Sequence, residues 1–186
     1  KKWEKLVQKK VNKRSQIIAH DSYVGELARN IAADLTQFRK IQGDETLGGM
    51  VICETSEQAR KLYEAFQNLN DGGEAKTIQI KLDGNEWMVA NAIPMIGYQK
   101  HPLRVGLILH DSDDKETRKQ IIKEFKKNMT IDLLIVFNML LTGFDAPRLK
   151  RLYFGRKLKD HNLLQALTRV NRPYKDNRYG YVIDFA

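Results

Sequence analysis

The run IDLLIVF (residues 131–137) is apolar at consecutive positions rather than at alternate ones. A strand of that kind is buried on both faces, so the chain must fold around a sheet covered on two sides. Short apolar runs recur at GGMVIC (48–53), RVGLILH (104–110), LKRLYF (149–154) and YGYVIDF (179–185). Segments with helical period separate them. In residues 22–38 Val24, Leu27, Ile31, Leu35 and Phe38 share one face, with Asp21 or Ser22 as N-cap. Residues 55–70, capped by Thr55 or Ser56, residues 113–128 and residues 160–170 read as further helices. Strand–helix alternation of this kind predicts an α/β fold, a parallel sheet with helices on both faces. Ligands bind such sheets at the carboxyl ends of the strands, where TSEQ (55–58) and LLTGFDAP (140–147) are expected to lie.

With 186 residues, 42% apolar and 30% charged, the chain has material for one real core and an appendage. No run approaches the roughly 18 apolar residues of a membrane helix, so no membrane contact is expected. The first residue is Lys1 and no signal pattern follows, which suggests a piece of a longer protein. Cys53 stands alone, which excludes an internal disulfide and a cysteine metal cluster and points to a reducing cytoplasm; no metal site is expected.

Residues 1–47 read as an N-terminal helical or linker segment and 48–186 as the main domain. Within the first, residues 1–14 form a basic amphipathic stretch with Trp3, Leu6, Val7 and Val11 at helical spacing, a linker or supporting helix rather than a nucleic-acid contact. Residues 71–103 are long for a helix-to-strand connection. There TIQIKLDGNEWMV alternates around Asp83-Gly84, compatible with a hairpin insertion.

The formal net charge is +9, and residues 148–178 hold ten Lys/Arg against Asp160 and Asp176. Such a stretch is either a footprint for a phosphate-rich partner or a solvated basic face. Gln165, Arg169 and Arg172 fall at about 0°, 40° and 340° around a helix, opposite Leu163, Leu167 and Val170. Pro173 disfavours helical geometry at Arg172, leaving that arginine at a frayed end. Planar, permanent cations suit the charge of a phosphoryl group in transfer; a solvent-facing polar stripe has the same spacing. In TGFDAP, Thr142 and Gly143 offer a hydroxyl and backbone N–H groups to an anion, and Asp145 is an acceptor for a ribose hydroxyl or a partner arginine. A plain Gly-Asp-Pro turn would read the same way.

Taken together and in this order, LLIVFNMLLTGFDAP, LLQALTRVNRPY and YGYVIDF resemble motifs V and VI of superfamily 2 helicases and translocases. The wording is most similar to the second motor domain of the R (restriction and translocation) subunit of type I restriction enzymes. The resemblance runs from about Gly48 to Ala186, with MVICETSEQARKLYEAF in the motif IV region and nothing matched over 71–103. It implies a RecA-like sheet of the P-loop NTPase type, the helicase C-terminal domain. It also implies that Arg169 and Arg172 reach the ATP γ-phosphate, that Gln165, Gly143 and Asp145 lie by the nucleotide, and that Thr142 and Ser56 contact the DNA backbone.

No G-x-x-x-x-G-K-[ST] and no D-E-x-[DH] is present. By the resemblance, ATP and Mg2+ are bound mainly by a first motor domain of the same chain, and a nuclease domain precedes it. The implied partners are duplex DNA, that first motor domain, and the methyltransferase (M) and specificity (S) subunits. Alone, the fragment is expected to be inactive. The alternatives are another superfamily 2 motor, of type III restriction or repair, and a catalytically silent nucleic-acid-binding domain.

Overall fold

Gly43 ends the first helix because it can adopt the left-handed backbone, with φ at 63°, that lets its N–H turn back onto the Arg39 and Lys40 carbonyls. This helix, α1 (Asp21–Gln42), begins one residue earlier than the cap-forming Asp21 or Ser22 suggested: the His20 imidazole accepts from the Ser22 N–H. The computed structural model describes residues 16–70, 78–82, 85–89, 103–109, 115–137, 144–155 and 160–185. The basic stretch 1–14 lies outside them.

The elements that follow are β1 (Gly48–Ile52), α2 (Ser56–Asn70), β2 (Ile78–Leu82), β3 (Asn85–Val89), β4 (Val105–Leu109) and α3 (Lys115–Lys123). Then come β5 (Leu133–Phe137), β6 (Leu149–Phe154), α4 (Asp160–Val170) and β7 (Tyr181–Asp184). A π turn at Glu124–Asn128 closes α3, where the helical period alone had predicted uninterrupted α-helix. Met129, in the left-handed region, sends its N–H back to the Glu124 carbonyl. That turn carries Phe125 into the core, fully buried.

Five strands form one parallel sheet in the order β4–β5–β1–β6–β7. At its centre β1 pairs Met50 with Leu134 on one side and with Leu152 on the other. The alternating segment in the long connection is a separate antiparallel hairpin, β2 with β3, in which Leu82 pairs with Asn85.

Both faces of the sheet are covered, as two-sided burial requires. On one, Leu27, Ile31, Leu35 and Phe38 of α1 and Ala59, Leu62 and Phe66 of α2 pack with Val51, Ile135 and Tyr153. On the other, Phe125, Ala166 and Val170 pack with Met50, Leu134, Val136 and Leu152. Gly180 brings β7 past the end of α4 so closely that a Cβ there would stand 2.2 Å from the Val170 carbonyl oxygen.

Candidate functional site

The two ends of the parallel sheet carry different parts of the expected site. At the carboxyl end of β1, Thr55 caps α2, its Oγ1 accepting from the Gln58 N–H at 3.0 Å. Ser56 is therefore the first residue of α2, half-buried and beside N–H groups of the first turn. Such a turn suits an anion. Beneath it the fully buried Gln58 accepts from the Glu54 N–H.

Asp145 was expected at the same end, because its motif follows a strand. It lies instead at the opposite, amino-terminal edge. The reason is topological: β6 is parallel to β5's neighbour β1, so the connection after β5 must travel back along the sheet before β6 starts. Phe144, just before Asp145, packs its ring 6.1 Å from Phe125, and the Leu149 N–H closes a turn onto Ala146. Thr142 and Gly143 fall outside the described residues.

The helix α4 runs the same way. Among its described side chains Ala166 and Val170 are buried, while Gln165, Leu167 and Arg169 are half-buried. The helix ends at Val170, so Arg172 lies beyond it, as Pro173 suggested. There the Arg172 guanidinium forms an ion pair with Asp145, the side chains 38% and 55% exposed. Asp145 thus finds the partner arginine that was one of its two expected roles, and the last turn of α4 carries Arg169 to the same edge.

Five strand residues at about 3.3 Å each put Ser56 roughly 16 Å from this pair along the sheet. Arg172, Asp145 and, one turn away, Arg169 are brought to one edge; Ser56 is not among them, and Gln165 is higher on α4.

The amino-terminal edge is held by a network absent from the sequence reading. Asp132, before β5, accepts from Arg39 at 2.8 Å and from Arg104 Nε at 2.9 Å. Burial pushes its carboxyl up, but the hydrogen bonds and charges of Arg104 and Arg39 prevail and hold it below the usual carboxylate range. Arg148, 2% exposed, donates to the carbonyls of Thr46, Phe125 and Ile131 and stacks 4.7 Å over the Phe125 ring. Burial pulls its guanidinium down to about 10, still cationic at neutral pH. The loops that precede β1, β5 and β6 are thereby tied together beside the Asp145–Arg172 pair.

The basic stretch 148–178 is consequently not one surface stripe. Arg148 and Lys150 are buried, and Arg151 is sandwiched against Phe38 and Tyr181 at 4.2 and 5.0 Å. Lys175 pairs with Asp44 at 2.9 Å. The signal for this in the sequence is position: Arg148, Lys150 and Arg151 flank or interrupt an apolar strand. Among the described residues no cluster of three His, Cys, Asp or Glu could hold a metal ion, and no helix is long and apolar enough to cross a membrane.

Residues 99–186 match the family described as type I restriction enzyme subunit R domain 3. The putative type I restriction enzyme MjaVIIP endonuclease subunit of Methanocaldococcus jannaschii is 47% identical over 75 residues, 40% of this chain and 7% of that protein. Its MjaIXP counterpart is 29% identical over 174 residues, 93% of this chain and 15% of the relative. The chain therefore spans only a small part of the length of these relatives. Among solved structures, a fragment of a putative HsdR subunit of a type I restriction enzyme from Vibrio vulnificus YJ016 superposes with a TM-score of 0.54 at 19% identity, covering 89% of this chain and 28% of that one. Domain 2 of the DEAD-box helicase Mss116p, bound to an RNA duplex, gives 0.53 at 12%, covering 90% and 50%. The fold is the RecA-like parallel sheet of helicase C-terminal domains.

Proposed function

We propose that this chain, similar over residues 99–186 to domain 3 of type I restriction enzyme R subunits, is a second RecA-like motor domain that supplies the arginine side of a composite ATP site and part of a duplex-DNA track. The observation that carries this reading is the meeting of Arg172 and Asp145, with Arg169 one turn away, on a partly exposed edge braced by buried cations. The unit acting in this way runs from α1 to β7, since α1 shares the core of the sheet.

The donor set fits a polyphosphate. Two planar guanidiniums match phosphoryl oxygens with paired N–H donors. ATP, when bound, supplies a γ-phosphoryl group whose transfer to water releases the free energy for movement. Arg169 and Arg172 would offset the charge that spreads over its oxygens, a role worth about 10³-fold or more in rate. Asp145 orients the Arg172 guanidinium, and Gln165 and Gly143 complete the nucleotide side. Mg2+ and the phosphate cradle fall to the first motor domain of the parent chain. At the other end of the sheet Ser56 holds a DNA phosphate through N–H and hydroxyl donors. A nucleotide at one end of the sheet and DNA at the other give one rigid domain two handles. Closure of the two motor domains would then move DNA, in a cytoplasmic assembly with methyltransferase and specificity subunits.

The test is DNA-stimulated ATPase of the full-length protein carrying Arg169→Ala or Arg172→Ala. A loss of about 10³-fold with an unchanged melt is expected. Near-normal turnover would leave a passive nucleic-acid-binding domain. The isolated domain is expected to show no DNA-stimulated turnover, and measurable turnover would contradict the two-half site.

A further inference from the structure

Lys150 is the second residue of β6 and is fully buried. The next two residues on its face of the strand, Leu152 and Phe154, are apolar and belong to the core beneath α4. A leucine or methionine would fill such a position without the cost of taking an ammonium out of water. Among the described residues no carboxylate forms an ion pair with Lys150, and burial pulls its pKa below that of an ordinary lysine. Its Nζ donates instead to the carbonyl oxygen of Arg172.

That carbonyl lies past the end of α4, beyond the helical hydrogen-bond ladder, in a bend between the helix and Pro173, and the next anchor along the chain is the Tyr174–Asn177 bridge. From the same residue the side chain reaches out to Asp145. One arginine is therefore held twice, by its backbone from inside the fold and by its guanidinium from the surface. Removing the inner hold frees the point from which the outer one is aimed.

We propose that Lys150 is a positioning residue for Arg172, its buried ammonium clamping the Arg172 carbonyl and so setting where the guanidinium stands. The inference rests on the reading of Arg172 as an ATP-site residue. A displacement of about 1 Å in such a group can cost about 10²-fold in rate.

The experiment compares Lys150→Met, Arg172→Ala and the double variant in the full-length protein, by DNA-stimulated ATPase with melting as control. Lys150→Met is expected to lower kcat about tenfold or more and to leave KM for ATP within about twofold, the pattern of a lost transition-state interaction. The double variant should be no slower than Arg172→Ala alone, because Lys150 acts only through that guanidinium. Multiplied losses would overturn the proposal and make Lys150 a general packing residue. Normal kcat in Lys150→Met beside a large loss in Arg172→Ala would overturn it while sparing the ATP-site reading. Normal turnover in Arg172→Ala would defeat both. If Lys150→Met does not fold, Lys150→Arg, which keeps a cationic donor at similar volume, should stay within about tenfold of the parent kcat, and a loss as deep as that of Arg172→Ala would overturn the proposal.

Discussion

Asp145 and Arg172 come from different connections of the chain, one before β6 and one after α4, and meet as an ion pair at the amino-terminal edge of the sheet. Both side chains are partly in water, so the pair contributes under about 1 kcal/mol to folding. Its value lies in orientation. Asp145→Asn in the full-length protein is therefore expected to shift the melt by no more than a few degrees while lowering DNA-stimulated ATPase about tenfold or more. Thermal melts beside steady-state turnover check it, and a large melt shift with normal turnover would reverse the assignment.

Asp132 behaves in the opposite way. It and Arg39 are almost completely buried, with side chains 4% and 6% exposed, so Asp132→Asn strands a buried guanidinium. A loss of about 3–5 kcal/mol is expected in urea titration. The carboxyl is held below its unfolded value, so its contribution is present above about pH 4 and is lost as pH falls through the lower folded value. Stability of the parent protein should thus fall more steeply below pH 4 than that of Asp132→Asn.

Ser56 offers a test in which stability and binding part company. An aspartate at the start of α2 complements the helix dipole, so Ser56→Asp should leave the domain as stable as before or up to about 1 kcal/mol more so. The same charge repels a DNA phosphate, so affinity for duplex DNA should drop about tenfold or more. If Ser56 makes a phosphate contact, the slope of log K against log salt should also shrink by about one. Unchanged affinity across a salt series would remove Ser56 from the track.

Gly180 is required for contact rather than for flexibility. Because a Cβ there would meet the Val170 carbonyl at 2.2 Å, Gly180→Ala must push β7 away from α4. A destabilisation of about 3 kcal/mol or more is expected, larger than the usual overpacking penalty because the obstacle is backbone. Denaturant melts of the domain check it.

Much of this was legible in the sequence for a simple reason: strands buried on both faces announce themselves as unbroken apolar runs. Residues 149–154 were read to the residue, and β7 differed only by fraying at its ends. Exceptions share another logic. The His20 cap escaped because imidazole is seldom the acceptor there, and the π turn because Phe125 continues the helical period. Asp145 was assigned to the wrong end of the sheet because a motif's place after a strand does not say how far the loop travels. Lys150 and Arg151 looked like surface charge because charged side chains are normally exposed, and as neighbours on a strand they point to opposite faces. Only the three-dimensional course of the chain shows that both sides are covered, the Lys150 face by α4 and the Arg151 face by Phe38 and Asp34 of α1.

The position of β1 has a consequence for how the domain is made. It is the first strand of the sheet to be synthesised, yet it is hydrogen-bonded on both flanks by strands that appear much later, at Leu134 and Leu152. During translation Gly48–Ile52 leaves the ribosome with two open edges and five residues destined for full burial. Its partners do not exist until most of the chain has emerged. Pairings so distant in sequence fold slowly and leave an aggregation-prone strand waiting. Truncation before β6 would thus yield an insoluble chain rather than a smaller motor, and expression at low temperature or with a chaperone should favour the intact one.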